Sequence, residues 1–468
     1  MRRKITMNWS GSCRLVFQSL FLALILLCIA VADASSEESV PPVQEKPVAQ
    51  DQGLINKEAD MKSAPTVTML TLSQCIDITL RTNPTIIAAL YSVDVSKEQV
   101  GEALSNYYPQ VSAQAAYNRL KPYPGMSLVP QTAYNAYTGS ISLNQTILDF
   151  GKTSSSVGIS RYNLESSRMN LNTTEDTTIL SVKQAYYAVL QAKRNLDVAA
   201  DVIKQYQLHL DQAQGFYKVG TNAKIDVITA EVNLSNAKLA LINADNTLKI
   251  AWVTLRNAMG VSNAPEFTIE DNLSFKKYPI TLEDAAVRAF ENRPDLKSII
   301  AQVHAAEENI SLQRTGYYPF LSGNASYSKE EIDLSPYTIS SSWDIGVALN
   351  IPLFNGFLTS HQVAQAKSNL YLVKENEEAL RQQIILDVRQ SYLNLQAAEA
   401  SISAAKLSAD EATENLALAN GRYVAGVGST IEVSDAFASY VSAEAAYNAA
   451  LYNYKIAQAS IENAMGAR

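Results

Sequence analysis

The chain is written twice, and that repetition constrains its fold more than any other feature. Thr71-Leu72, Pro84 and Tyr107-Tyr108-Pro109 recur without a gap 210 residues on, as Thr281-Leu282, Pro294 and Tyr317-Tyr318-Pro319. Residues 215–260 return 206 residues later as 421–466, identical at 16 of 46 positions. Chance does not give that, so each half folds as one copy of a unit a little over 200 residues long. Gly215, Tyr217, Gly220, Ile225 and Val227 match Gly421, Tyr423, Gly426, Ile431 and Val433, and both copies close on Asn-Ala-Met-Gly.

Within each copy the apolar residues keep a strict seven-residue rhythm. Val227, Ala230, Leu234, Ala237, Leu241, Ala244, Leu248, Ala251 and Leu255 alternate steps of three and four. The second copy answers with Val433, Ala436, Tyr440, Ala443, Tyr447, Ala450, Tyr454, Ala457 and Ile461, and an outgoing arm shows the same pattern from Val182 to Ala213. A heptad held over more than four repeats predicts a left-handed coiled coil. Alanine at every second seam position lets two helices approach closely, and Gly215 and Gly220 mark the hairpin turn between the arms. The three tyrosines sit on the seam and read as packing. The outgoing helix, residues 152–214, would be roughly 95 Å long and the return helix, residues 223–259, roughly 55 Å. Adding the short helix from Pro84 to Asn106, roughly 35 Å, end to end on the return arm nearly matches the two lengths.

Between the short and the long helix of each copy the period changes to two. Val111, Ala113, Ala115 and Tyr117 alternate with Ser112, Gln114, Ala116 and Asn118, while Ile141 and Leu143 alternate with Ser140, Ser142 and Asn144. In the second copy a run from Pro319 to Ser328 is followed by Trp343, Ile345, Val347, Leu349 and Ile351 alternating with small or polar residues. Runs of about 10 residues suit transmembrane strands, although soluble hairpins capping the rods would show the same alternation. Four strands cannot close a barrel, and an open edge in lipid is forbidden by its unsatisfied backbone groups. The membrane reading therefore requires copies to pool strands.

Arg2, Arg3, Lys4 and Arg14 precede an apolar run from Leu15 to Ala32, and Ala32-Asp33-Ala34 fits a small-x-small cleavage site. This reads as a secretory signal peptide, an uncleaved anchor helix being the alternative. Cys28 follows Leu27 and belongs to the apolar run, so Cys75 is the one cysteine of the exported chain and no intrachain disulfide forms. The organisation is 1–34 signal peptide, 35–69 flexible leader, then 70–107 helical, 108–148 strand pair and 149–260 coiled-coil hairpin. A linker at 261–280 leads to the second copy, with 281–317 helical, 318–354 a strand pair and 355–468 the second hairpin. A net charge of −8 offers no basic footprint for nucleic acid. Three His and three Cys leave little material for a metal site, and His209, His304 and His361 read as isolated and solvated. Gly426-Val427-Gly428-Ser429-Thr430 lacks the Lys of a phosphate loop, and no hydrolase nucleophile motif stands out. No enzymatic activity and no cofactor are expected.

Signal peptide, tandem repeat, paired strands and a Tyr-x-x-Gly turn followed by Ala-rich heptads together resemble the outer-membrane efflux protein family, the TolC-like exit ducts. The resemblance covers about residues 70–466. It implies a mixed α/β membrane protein: a homotrimer with a 12-strand transmembrane β-barrel, four strands per chain, on a long α-helical coiled-coil barrel crossing the periplasm. It implies a passive exit duct for small molecules or proteins in a tripartite efflux or type I secretion system. Its partners would be a periplasmic adaptor (membrane fusion) protein, an inner-membrane pump of RND or ABC type, and outer-membrane lipid. A non-conducting coiled-coil scaffold or adhesin is the alternative. The resemblance assigns the periplasmic entrance to Asp226, Tyr423, Glu432 and Asp435, and adaptor docking to the turns Val219-Gly220-Thr221 and Ala425-Gly426-Val427. Read without it, the acids are also what a helix start favours. A basic residue that relatives place two after the second turn glycine is Gly428 here, which removes the lock between neighbouring protomers or moves it to Arg422.

Overall fold

The computed structural model describes residues 69–121, 133–220, 223–262, 267–333 and 338–467. The signal peptide, nearly all of the leader, much of the two strand-joining loops and the docking-turn residue Thr221 lie outside the described residues. Of the two units into which contacts divide the chain, the larger, residues 66–107 and 111–468, holds every element below except the first residue of β2.

The first copy runs β1 (Met69–Leu70), α1 (Leu72–Thr82), α2 (Pro84–Leu104), β2 (Gln110–Leu120), β3 (Tyr134–Leu148), α3 (Lys152–Lys218) and α4 (Lys224–Ala258). The second runs β4 (Thr268–Ile269), α5 (Leu282–Asn292), α6 (Pro294–Arg314), β5 (Phe320–Ile332), β6 (Thr338–Asn350), α7 (Leu358–Val424) and α8 (Thr430–Ala464). At 67 residues each, α3 and α7 are about 100 Å long.

Local chemistry explains where these elements start and stop. Thr71 and Gln74 form a reciprocal capping box at the start of α1, and Asn83 caps α2, whose first residue is Pro84. Each strand-to-rod turn needs two successive residues with positive φ. The first copy supplies Phe150 and Gly151, the second Gly356 and Phe357, so one phenylalanine per copy is held in the left-handed region. Asp149 secures the first of these turns, accepting from the backbone N–H of Gly151 at 3.1 Å and of Thr153 at 2.8 Å.

The Asn-Ala-Met-Gly endings also have a physical reason. Gly260 has φ +71°, and a Cβ there would stand 2.7 Å from the Asn83 Cα. Gly466 has φ +66° and would bring a Cβ to 2.9 Å from the Arg293 nitrogen. These contacts set α2 on the end of α4 and α6 on the end of α8, and Thr82 and Asn83 lock the first junction by donating to the Met259 and Ala258 carbonyls. α4 packs on α3 and α8 on α7, while α3 also packs on α8, α6 and α2, and α6 packs on α7. The rods therefore stand in the order α2/α4, α3, α6/α8, α7, with α2/α4 and α7 at the edges. Every seam position named above is buried or half-buried, with Ala230, Val433 and Ala213 fully enclosed.

The four long strands form one sheet in the order β2-β3-β5-β6, leaving β2 and β6 as free edges. Register puts Ser142 opposite Ser326 and Ser326 opposite Asp344, while Ile141 faces Tyr327 and Tyr327 faces Trp343. One face carries a hydroxyl and amide ladder. Ser112 bonds Ser142 and Ser328 bonds Ser342, each at 2.8 Å, and Asp344 accepts from Asn324 at 2.8 Å and from Ser326. The other face exposes Trp343, Ile345, Val347 and Leu349, each at least half accessible. Among the described residues no helix is long and apolar enough to cross a membrane.

The linker hides structure that sequence reasoning missed: β4 pairs in parallel with β1, joining the two copies at mid-height. Tyr186 donates to the Glu270 carbonyl at 2.6 Å, Arg194 grips Asp271 with two bonds, and Tyr454 donates to the Lys276 carbonyl at 2.7 Å. Tyr454 is fully buried, so its ring packs in the seam while its hydroxyl anchors the linker. Cys75 lies in the same core, where burial pushes its thiol up to about 11.

Candidate functional site at the hairpin tips

One coiled-coil hairpin turns between α3 and α4 and the other between α7 and α8, and the sequence-assigned residues gather around these turns. Gly220 and Gly426 have φ of +80° and +76°, and open space surrounds the position of a Cβ on either. The reversal, rather than crowding within the chain, is what requires glycine. Val219, Gly220, Ala425, Gly426 and Val427 are all exposed.

The second turn ties itself together. Val427 and Gly428 both donate backbone N–H groups to the Arg422 carbonyl at 3.0 Å. A Cβ on Gly428 would come within 2.9 Å of the Tyr423 nitrogen, so this position is Gly because the chain doubles back against it. Arg422 donates to Glu432 at 3.3 Å and to the Val427 carbonyl at 3.4 Å, spanning its own turn. Ser429 caps α8 by accepting from the Glu432 N–H. Of the assigned acids, Glu432 and Asp435 are exposed and Asp226 is half-buried.

The two tips meet. Thr430 at the start of α8 donates to Asp226 at the start of α4 at 3.3 Å, and Asn233 on α4 donates to Ser434 on α8 at 3.1 Å. Tyr423 is only 3% exposed: its ring lies 4.6 Å from that of His209 and 5.7 Å from that of Phe216, both on α3. Tyr423 thus packs between the hairpins of one chain.

His209 corrects the sequence expectation. It is buried, not solvated, with both ring nitrogens enclosed and unpartnered. Its neighbours explain why. Tyr206 and Leu210 occupy the α3 seam, and the residue between them on that side is covered by Tyr423 of α7. Burial holds its pKa below the ordinary histidine value, while the charge of Asp226 pulls upward. The signal was available in its place beside the seam, but a lone polar residue does not reveal which second helix covers it. His304 instead pairs with Glu307 at 3.3 Å on the surface, and His361 is exposed. Among the described residues no cluster of His, Cys, Asp or Glu could hold a metal ion.

A sheet with two open edges and one apolar face, continuing into rods whose tips carry exposed acids and turns, has the form of a wall segment that further copies would complete. The chain belongs to the outer membrane efflux protein family, whose model matches residues 75–261 and 285–467. It is 26% identical over 401 residues to the outer membrane protein TolC of Salmonella enteritidis, covering 82% of this chain and 79% of that one. It is 23% identical over 340 residues to the alkaline protease secretion protein AprF of Pseudomonas aeruginosa, covering 70% and 69%. Its fold matches the Campylobacter jejuni CmeC outer membrane channel with a TM-score of 0.74 at 18% identity, covering 84% of this chain and 85% of that one. The chain is accordingly an outer-membrane protein of a channel family.

Proposed function

We propose that three copies of this chain close into a passive exit duct, pooling their sheets as a 12-strand barrel in the outer membrane and their rods as a tunnel reaching into the periplasm. The observation that carries this reading is that sheet and rods are open at matching edges. Among the described residues β2 and β6 have no outer partner strand, and the same two ends of the wall expose apolar stripes. On α4 the stripe is Ile225, Ile228, Val232, Leu239, Ile242 and Val253; on α7 it includes Leu372, Leu386, Leu393 and Leu407. Both recur at heptad intervals, so α7 of one copy fits α4 of the next as a further coiled coil. The apolar sheet face then meets lipid and the serine ladder faces the lumen.

At the periplasmic end the turns 219–221 and 425–427 are the surface offered to a periplasmic adaptor, which joins the duct to an inner-membrane pump of RND or ABC type. Asp226, Glu432 and Asp435 from three copies supply nine carboxylates near one axis, an arrangement that favours cations. Small molecules and proteins are both within the cargo range of such a duct.

The mass of detergent-extracted protein and its conductance in planar bilayers test the assembly; a monomer that keeps its β-signal in lipid would sink it. A Gly220→Trp, Gly426→Trp double variant is expected to insert and trimerise normally but lose pump-dependent export. Replacing Glu432 and Asp435 by Ala is expected to weaken cation selectivity and block by multivalent cations. Unchanged selectivity would leave the acids as ordinary helix starts.

A further inference from the structure

Among the described residues His209 is the one side chain whose polar atoms are all buried without a partner. It projects from the first-copy rod α3 against the second-copy tyrosine Tyr423, and its burial is complete within a single protomer. An enclosed imidazole without hydrogen bonds is costly even when neutral, and a charged one more so. Parting the two hairpin tips would open both ring nitrogens to solvent.

We propose that His209 is a proton-operated latch between the two hairpins of each protomer, packed under Tyr423 when neutral and charged only when the tips part. The groups around it are few. From α4 comes Asp226, whose carboxylate attracts a charged ring and is itself held by the Thr430 hydroxyl of α8. From α7 come the Tyr423 phenol and Arg422, the latter engaged with Glu432 across its own turn. α8 adds Glu432 and the exposed Asp435, and on α3 itself Asp211 accepts from Gln207 at 3.0 Å.

The direction follows from linkage. In the packed form burial outweighs Asp226 and lowers the ring's proton affinity, whereas in the parted form the ring titrates near its ordinary value of about 6.5. Between those two values the packed form binds fewer protons, so acid favours parting. Well above about 6.5 the ring is neutral in both forms and the preference for the packed form no longer changes with pH. Within the window each pH unit shifts the ratio of parted to packed tips by up to about tenfold per chain. Its consequence for flow rests on the duct reading; the latch itself does not.

Spin labels on Val219→Cys and Val427→Cys, both exposed at the tips, read the separation directly, with labelled chains diluted in unlabelled ones. Cys75 is buried and stays unlabelled. Taking the assembled protein from about pH 7.5 to about pH 5 is expected to add a longer-distance population and to raise bilayer conductance, both with a midpoint below about 6.5. His209→Gln and His209→Met, the second an apolar side chain of similar length, are expected to remove that step from both readouts. Tips that stay together in the unmodified protein, or that part equally in the His209 variants, overturn the latch. Tips that part without any conductance keep the latch and refute the duct, and conductance that rises without tip separation refutes the latch alone.

Discussion

The two hairpin tips carry related sequences but are secured differently. The second is fastened within itself: Ser429 caps α8, Arg422 spans the turn to Glu432, and Gly428 closes against the Tyr423 backbone. The first has Ala223 at the same cap position with no side-chain bond, and its acid Asp226 leans on Thr430 of the second tip. Duplication supplied two equal arms, and divergence has made one the anchor and the other its dependant. The first tip is therefore the one expected to move.

Substitutions in matched pairs measure this asymmetry. The largest effects belong to the shared junctions. Gly260→Val and Gly466→Val both place a Cβ against backbone at positive φ, and a loss on the order of 3 kcal/mol is expected for each in heat dissociation of the assembly. The Gly260 variant should suffer more, its contact being shorter. Next come the seams, where Ala450→Leu should cost about 1–3 kcal/mol by overpacking. Ala244→Leu should cost less because Ala244 is only half-buried; equal losses would show the two seams to be equally tight.

The caps sharpen the contrast at the tips. Ser429→Ala should lose about 1 kcal/mol, whereas Ala223→Ser should stabilise the first tip by a similar amount. Limited proteolysis at the turns reads both, and a neutral Ala223→Ser would mean that the first tip is held by something other than its helix start. Smallest is Arg422→Gln. Its pair with Glu432 is about half exposed, so less than about 0.5 kcal/mol is expected, and less still at high salt.

Most of the fold could be read from periodicity. Heptads survive because a coiled coil touches at every seam position, so Val227 through Ala464 announce their partner face. Strand alternation survives because one sheet face stays apolar. What could not be read depends on single contacts between distant residues. The β1–β4 pair is two residues long on each side and leaves no period. The burial of His209 depends on Tyr423, more than 200 positions away. The place of the tip acids relative to neighbouring copies lies beyond any one chain, whereas the side-chain bonds of Asp226 to Thr430 and of Glu432 to Arg422 are internal.

The unpaired edges of the sheet carry a genetic consequence. A lone chain cannot enter lipid with β2 and β6 bare, since each unsatisfied backbone group there costs several kcal/mol, so insertion and ring closure must be one event. A copy with a damaged edge strand is then harmful in proportion to the rings it joins rather than to its own number. With half of the chains defective, only about one ring in eight is free of them, which makes edge-strand lesions dominant and lesions of the unincorporated chain recessive.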